Sequence, residues 1–435
     1  MEKKTAIGLI GFGTVGSGLY TVINRNGTLI RERSGVEVII KTICDLNLDA
    51  VRSRVSESVT LTTDWKEIIA DPEIDTVVEL IGGVGPARKM IIEALKAGKN
   101  VVTANKKLLA EAGEEIFALA NSGSGKLGFE AAIGGGIPCV QNLRNGLVAN
   151  RIRSVIGILN GTTNYILTRM ERAGLSFEEA LSEAQAEGFA EADPTFDIEG
   201  YDAGHKISLL AMLAYNRWVD YHTISIEGIT SLEPIDVEFA RSMGFAVKLL
   251  GIARECEDRL DVRVHPAFIE ESHQLAAVSH EYNAVVYDSD MTDEVLLYGK
   301  GAGSLPTASA VVSDIVQIAV KAEVQESAIR TTGQAELVQP SERISRFYVR
   351  MYTEDHPGIL EKVAHCFAHN HISISSVVQM ESETGHVPLL FITHEAREDG
   401  IVRAIDELSK SDFIEGEVIM VRIEERHVES ADETT

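Results

Sequence analysis

The chain has 435 residues, which as a prior suggests two to four domains and leaves room for more than one core. It is 45% hydrophobic and 24% charged, with a formal net charge of −26 and a pI near 4.9, so it reads as globular and soluble. That acidity argues against non-specific binding to nucleic acid or to anionic membranes, while leaving room for a local basic pocket that holds a small anionic cofactor.

In chain order, Met-Glu-Lys-Lys runs directly into an apolar strand at 5–10, without the sections of a signal peptide. No stretch approaches the roughly 20 apolar residues of a membrane span, and a cytoplasmic protein is expected. The strand is followed by Gly11-Phe12-Gly13-Thr14-Val15-Gly16 and by helical character over 17–25. A lone Gly-x-Gly-x-x-Gly is a weak signal, but strand, glycines and helix in this order are the context of a dinucleotide-binding turn. Gly11 permits the tight turn, Gly13 lets backbone approach a pyrophosphate, and Gly16 lets helix and strand pack. The helix N-terminus offers free N–H groups to the phosphate. The bland alternative is a glycine-rich turn without a ligand. A second strand, 36–43, ends at Cys44-Asp45, where Asp45 is placed to accept from a ribose 2′-hydroxyl and favour NAD. Arg52 and Arg54 lie close in sequence and suit the 2′-phosphate of NADP, so the choice stays open.

A helix at 64–70, a strand at 75–80, a helix at 86–97 and a strand at 100–103 alternate across short turns, which predicts a doubly wound parallel sheet. The last strand delivers Ala104-Asn105-Lys106-Lys107 to the end of the sheet where ligands bind, unless this is merely an exposed basic turn. Apolar residues at 127–130 lead into Gly134-Gly135-Gly136-Ile137. These glycines either turn carbonyls toward a ligand or cation, with Glu130 as a charged oxygen ligand, or make a tight structural turn.

A strand at 154–159 enters Asn160-Gly161-Thr162-Thr163-Asn164 and a helix through 172; the polar groups bind a substrate or cap that helix. A helix at 176–187 opens with a capping box, Ser176 and Glu179. Residues 191–206 then pack five carboxylates, Glu191, Asp193, Asp197, Glu199 and Asp202, and Lys206 just ahead of the apolar 207–214. Asp202 and Lys206 are four apart on one helix face, and Glu199 falls on that face three residues earlier. An exposed capping loop with one ion pair, worth about 0.3–0.5 kcal/mol, is the bland reading. A lysine entering an apolar helix instead has its pKa lowered from about 10.4 by desolvation and is held by a carboxylate, which equips it to move a proton.

Further on, 223–234 and 263–265 are strand-like with a helix at 234–244 between them. Residues 299–307 form a second glycine-rich turn, facing phosphate or nicotinamide or acting as an interdomain hinge, and open onto a helix at 308–320 that returns to the first domain. Residues 331–343 are polar and aperiodic and read as a linker. The segments 347–352, 357–369, 372–380, 386–394, 399–408 and 417–423 follow the βαββαβ order of a ferredoxin-like module. Asp355 is expected to cap the first of its helices, with Pro357 in the first turn. His365, His369 and His371 include an i, i+4 pair able to bind metal, but no carboxylate follows in pattern and a solvated helix face is preferred. The last residues read as a frayed acidic tail. Four cysteines, Cys44, Cys139, Cys256 and Cys366, are too far apart for a Cys-x-x-Cys site and fit a reducing compartment.

Over nearly its whole length the chain resembles the homoserine dehydrogenases. The resemblance rests on the Gly11 motif, Thr-Ala-Asn-Lys at Thr103, Gly-Ile-Leu-Asn-Gly-Thr-Thr-Asn-Tyr-Ile at Gly157, residues 191–206, and Gly-Ala-Gly-Ser-Leu-Pro-Thr-Ala at Gly301. It implies an α/β protein of three parts. A Rossmann-type NAD(P)-binding domain spans 1–145, completed by about 301–325. An α+β catalytic and dimerisation domain covers 146–300, and a linker at 326–344 leads to a ferredoxin-like ACT domain at 345–424 with an acidic tail at 425–435. It further implies reversible, NAD- or NADP-dependent interconversion of L-aspartate 4-semialdehyde and L-homoserine on the route to threonine, methionine and isoleucine, in a homodimer or homotetramer.

By the same resemblance, Lys206 and Lys106 handle the proton, Asp202 positions Lys206, and Glu191 holds the substrate ammonium, with Asp197, Gly161 and Thr162 also at the substrate. Phe12, Thr14, Val15, Gly188 and Gly303 touch the cofactor. A sodium ion is held at Glu130, Ile133, Gly135 and Ile137, and the ACT module implies threonine as effector. Many NADP-using members carry an arginine where this chain has Cys44, which weakens an NADP preference. Two competing readings are a semialdehyde dehydrogenase with Cys139 as nucleophile and a non-enzymatic amino-acid sensor.

Overall fold

The alternating apolar runs of the first third condense into a six-stranded parallel sheet in the computed structural model, which describes residues 3–123, 125–320, 329, 331–380 and 386–425. Across the sheet the strands run Thr60–Thr62, Val36–Cys44, Lys3–Ile10, Thr76–Glu79, Asn100–Thr103 and Leu127–Gly128. Chain order reverses between Lys3–Ile10 and Thr76–Glu79, and the crevice beyond the strand ends at such a switch point is where α/β sheets bind ligands. Helix Thr14–Ser34 starts at that crevice. Helix Ser304–Val320 comes back to it. At Gly18 the two helices are so close that a Cβ would sit 2.5 Å from the Ser304 hydroxyl, and Ser304 Oγ donates to the Thr14 carbonyl at 2.7 Å. Leu9, Leu19, Ile23, Val311 and Ile315 share the core beneath them.

The rest of the chain builds one continuous sheet of eleven strands, larger than the sequence suggests. Its catalytic half contains Ile152–Ile158, Phe245–Cys256, Arg259–Glu270, Tyr282–Ser289 and Asp293–Lys300. The expected strand at 263–265 is the middle of Arg259–Glu270, whereas in 223–234 only Ser225–Ile226 pairs. Phe245–Cys256 escaped prediction because it is buried on both faces through Ala253, which removes the period-two signal. The C-terminal module follows the expected order: Ile344–Glu354, Ile359–His369, Ile374–Gln379, His386–Thr393, Glu398–Leu408 and Ile414–Glu424. Its helix Ile359–His369 is not capped by Asp355. Gly358, at φ +96°, occupies the N-cap, and Asp355 accepts from the Gln379 amide instead.

The module is stitched to the catalytic half by parallel pairing of Ala267–Ile269 with 422–424. Buried charges line the seam. Arg422 bridges Glu227 and Glu398, and Glu424 receives Arg254 and Arg263 at 3.0 and 2.6 Å. The polar stretch 331–343 is strapped down: Trp218 exchanges backbone hydrogen bonds with Gly333 and Ala335, and Leu260 with Glu336 and Val338. Residues 321–325 of the segment expected to complete the first domain, much of the linker at 326–330 and the tail from 426 lie outside the described residues. Among the described residues no helix is long and apolar enough to cross a membrane.

Candidate active site

Two of the three motif glycines are dictated by close approach. Gly11 has φ +96°, and a Cβ there would lie 2.9 Å from the Leu80 carbonyl; one on Gly16 would lie 2.1 Å from the Gly11 oxygen. Gly13 is different, since its Cβ would meet nothing within 4 Å. It leaves open ground above the uncapped start of Thr14–Ser34, whose first N–H groups are a ready anion site. Beside this turn the Asp45 carboxylate accepts from Phe12 N at 2.7 Å and Asn47 N at 2.9 Å. Arg54 stacks over the Phe12 ring at 5.2 Å. A carboxylate able to accept from a ribose hydroxyl and an arginine able to pair with a phosphate therefore both flank the turn.

The charged stretch 191–206 is exposed at 191–193 and turns inward from Ile198 on. Gly200, at φ +82°, turns the chain so that helix Tyr201–Tyr215 begins afresh after the short helix Thr195–Ile198. That break removes Glu199 from the face of Asp202 and Lys206, and Glu199 instead accepts from the Thr230 hydroxyl at 3.3 Å. Asp202 and Lys206 are buried at 3% and 6% exposure. Against them stands helix Lys106–Ala112, whose start is fixed by the Asn105 side chain capping Leu108 N.

One carboxylate holds both lysines. Asp202 Oδ1 lies 2.8 Å from Lys106 Nζ, and Oδ2 lies 2.6 Å from Lys206 Nζ. Lys206 also donates to the Leu159 carbonyl at 2.7 Å. Asn160 caps its own helix through Oδ1 while its Nδ2 donates to Asp202 at 2.9 Å and to Asp197 at 2.7 Å, so it both caps and reaches the site. Burial disfavours the Asp202 anion, but Lys206 and Lys106 outweigh it and hold the carboxyl below its usual range. Burial lowers the pKa of Lys206, while Asp202 raises that of Lys106. Asp197 is pushed up by burial and by Asp202. The most buried nitrogen is thus the one readiest to give up its proton.

The lysines sit in a cleft of about 1850 Å³, open mouth included. Without the open mouth its volume is about 810 Å³, toward the upper end of the roughly 300–1,000 Å³ of a small-molecule pocket. Thr14, Val15, Gly161, Thr162, Gly188 and Glu191 line it together with Asp197, Ile133 and Gly303. Gly11, Phe12, Gly13, Gly16 and Asp45 lie outside its walls, along the turn and at the neighbouring strand end. The second glycine-rich turn forms one wall through 300–307, joined by Asn283 from the unexpected strand Tyr282–Ser289 and by Glu281 just ahead of it. His205 and Glu111, behind the lysines, also went unnoticed in the sequence.

Glu130 is buried and backs the cleft rather than lining it. Its two oxygens accept Val140 N and Gln141 N, each at 2.8 Å, which caps the turn Cys139–Gln141. Gly135 has φ +56°, and a Cβ on it would lie 2.3 Å from the Gly301 carbonyl oxygen, so close packing alone demands a glycine there. The Ile137 carbonyl accepts Cys139 N at 2.8 Å. An oxygen-only set of one carboxylate and backbone carbonyls suits a hard cation, and each Glu130 oxygen keeps a further lone pair. Among the described residues no three His, Cys, Asp or Glu side chains group to hold a metal, and His365, His369 and His371 are exposed. Cys139 is fully buried with its thiol pushed up to about 12, chiefly by burial, which disqualifies it as a cleft nucleophile.

Comparison with known proteins decides the family. Residues 11–130 match the homoserine dehydrogenase NAD-binding domain, 138–316 the homoserine dehydrogenase domain, and 347–413 the ACT domain. The homoserine dehydrogenase of Neisseria gonorrhoeae is 42% identical over 437 residues, covering 98% of this chain and all of that one. The chain belongs to the homoserine dehydrogenase family. The crystal structure of a homoserine dehydrogenase from Thiobacillus denitrificans superposes with a TM-score of 0.90 at 39% identity, covering 97% of this chain and 98% of that one. A hyperthermophilic archaeal homoserine dehydrogenase in complex with NADPH matches at a TM-score of 0.62 and 26% identity over 73% of this chain and 98% of that one. As a homoserine dehydrogenase the protein is an NAD(P)-dependent oxidoreductase, and its C-terminal βαββαβ module is an ACT domain.

Proposed function

We propose that the enzyme interconverts L-aspartate 4-semialdehyde and L-homoserine, with the two lysines bridged by Asp202 as its proton-handling centre. The observation that carries this is the placement of Lys106 and Lys206 on one buried carboxylate, in a cleft that opens onto the glycine turn. The nicotinamide, when bound along Gly11–Gly16 with Thr14, Val15, Gly188 and Gly303, supplies or accepts the hydride. In the reducing direction Lys206 and Lys106 stabilise the developing alkoxide and protonate it; in the oxidising direction they take the hydroxyl proton. Asp202 keeps both ammonium groups aimed at one point. Glu191 holds the substrate ammonium, and Asp197, Gly161 and Thr162 shape the space around it. Asp45 and Arg54 together accommodate either NAD or NADP.

The same reading includes a sodium ion at Glu130 and the backbone oxygens of Ile133, Gly135 and Ile137, which would steady the turn behind the cleft. It includes feedback inhibition by threonine through the ACT domain, on the route to threonine, methionine and isoleucine. A physical connection supports the latter: Arg422 grips Glu227, and the next residue, Gly228, lies where a Cβ would be 2.4 Å from the Ile198 carbonyl, one residue from Asp197. A homodimer or homotetramer belongs to the reading as well, supported by Leu296 and Tyr298, partly exposed on the outermost strand. The test is homoserine oxidation followed by reduced-nicotinamide absorbance, with NAD and NADP in parallel, with and without threonine, in sodium and in choline salts. Turnover that falls with threonine and in choline is expected. An unchanged rate in either arm removes that regulator or that ion, and no rate with either cofactor overturns the reaction.

A further inference from the structure

His205 lies in the helix between Asp202 and Lys206, yet faces away from the cleft, at 1% exposure. Its Nε2 lies 3.0 Å from Glu111 Oε1, on the helix that begins with Lys106. Its ring is stacked between Tyr221, at 4.0 Å and 24°, and Phe196, at 5.3 Å and 30°. Phe196 immediately precedes Asp197. One side chain therefore touches all three segments that carry the charged groups of the site. An apolar ring would fill the same slot without burying a polar atom, whereas the His205 Nδ1 is buried with no hydrogen-bond partner. Such an atom costs stability, and its retention calls for a reason beyond packing.

The reason lies in the geometry of two contacts. The helices of Lys106 and Asp202 pack through a shared apolar core, and the Lys106–Asp202 bridge ties them at one charged point. Glu111 is five residues beyond Lys106, roughly 7.5 Å along the axis, and its contact with His205 supplies a second polar tie, which sets the register of one helix on the other more narrowly than apolar packing does. We propose that His205 is a positioning residue of the lysine pair: through Glu111 it locks the helix bearing Lys106 to the helix bearing Asp202 and Lys206.

The groups facing the imidazole are Glu111 and Lys106 from one helix, Asp202 from its own, and Tyr221 from the following turn, with Lys107 above Phe196. Burial holds the imidazole below its ordinary pKa, so at neutral pH it donates from Nε2 to the Glu111 carboxylate without adding a third cation beside the lysines. The inference rests on the reaction proposed above and adds to it a residue that touches neither substrate nor cofactor.

The test compares His205→Phe, Glu111→Ala and Glu111→Gln in homoserine oxidation. Phe keeps the ring stack and loses the hydrogen bond; Gln keeps an acceptor at Glu111. A displacement of reacting groups by about 1 Å costs on the order of 100-fold, so His205→Phe and Glu111→Ala are expected to lower kcat by about 10- to 100-fold. The KM for the cofactor should stay within about twofold. Glu111→Gln should recover most of the loss, and the double variant should be no slower than the worse single one. A folded His205→Phe with wild-type kcat, or equal losses in Glu111→Ala and Glu111→Gln, overturns the proposal. Should His205→Phe fail to fold, the Glu111 pair, at a partly exposed position, still decides it. A wild-type enzyme without homoserine oxidation would overturn the reaction itself, whereas an active wild type with unaffected variants overturns only the role of His205.

Discussion

Asp202 divides two oxygens among three nitrogens, those of Lys106, Lys206 and Asn160, and the sign of its influence on the lysines is set by charge. It raises the pKa of both, against the burial that lowers that of Lys206. Replacing it by Asn removes the raising influence, so both ammonium groups release protons at lower pH. Homoserine oxidation uses the free base; in Asp202→Asn the ascending limb of the kcat profile should move to lower pH while the plateau falls by about 10²-fold or more. A limb that moves to higher pH would contradict the assignment. Asp202 and Lys206 were legible from their four-residue spacing ahead of an apolar helix, and Lys106 from its place at a strand end. The Glu111–His205 contact was not, because the two residues are 94 positions apart and neither carries a local signal.

Among the elements, the glycine turn separates two demands that the motif merges. A methyl group on Gly16 would lie 2.1 Å from the Gly11 carbonyl oxygen, a backbone atom of the turn itself. Gly16→Ala should therefore lower stability by about 1–3 kcal/mol and weaken cofactor binding. Gly13→Ala meets nothing in the protein, so its melting temperature should match the wild type while its affinity for the dinucleotide falls. Calorimetry and a fluorescence titration of both variants check this; equal melting losses, or unaltered affinity in Gly13→Ala, would contradict it. The turn was readable because strand, glycine spacing and helix start are all local. The strands of the catalytic half were much harder. Phe245–Cys256 is a nearly unbroken buried run, and Asp293–Lys300 is an edge strand with charges at both ends. Glu199 was misplaced for a related reason: periodicity extends a helix through Gly200, but the left-handed backbone there ends it.

At the level of the whole molecule, the ACT order was visible in the sequence, while its fusion to the catalytic sheet was not, since strand partners distant in sequence leave no local trace. That fusion has an energetic consequence. Arg422, 2% exposed, neutralises Glu398, which is equally hidden, and reaches Glu227 across the seam. Arg422→Met leaves Glu398 buried without a partner and should cost about 3–5 kcal/mol in chemical denaturation; a loss below about 1 kcal/mol would mean that the seam does not depend on this arginine. Deleting the chain after Thr331 would likewise leave Ala267–Ile269 without the strand that pairs with them on one side, so regulation is better probed by substitution than by truncation. The proton-handling lysine remains the centre of the account, and one measurement tests it most directly. Wild type and Lys206→Ala are compared in homoserine oxidation, with dinucleotide affinity measured by titration on the same samples. A fall in kcat of about 10²- to 10⁴-fold at unchanged cofactor affinity is expected, and a variant that turns over at the wild-type rate would contradict it.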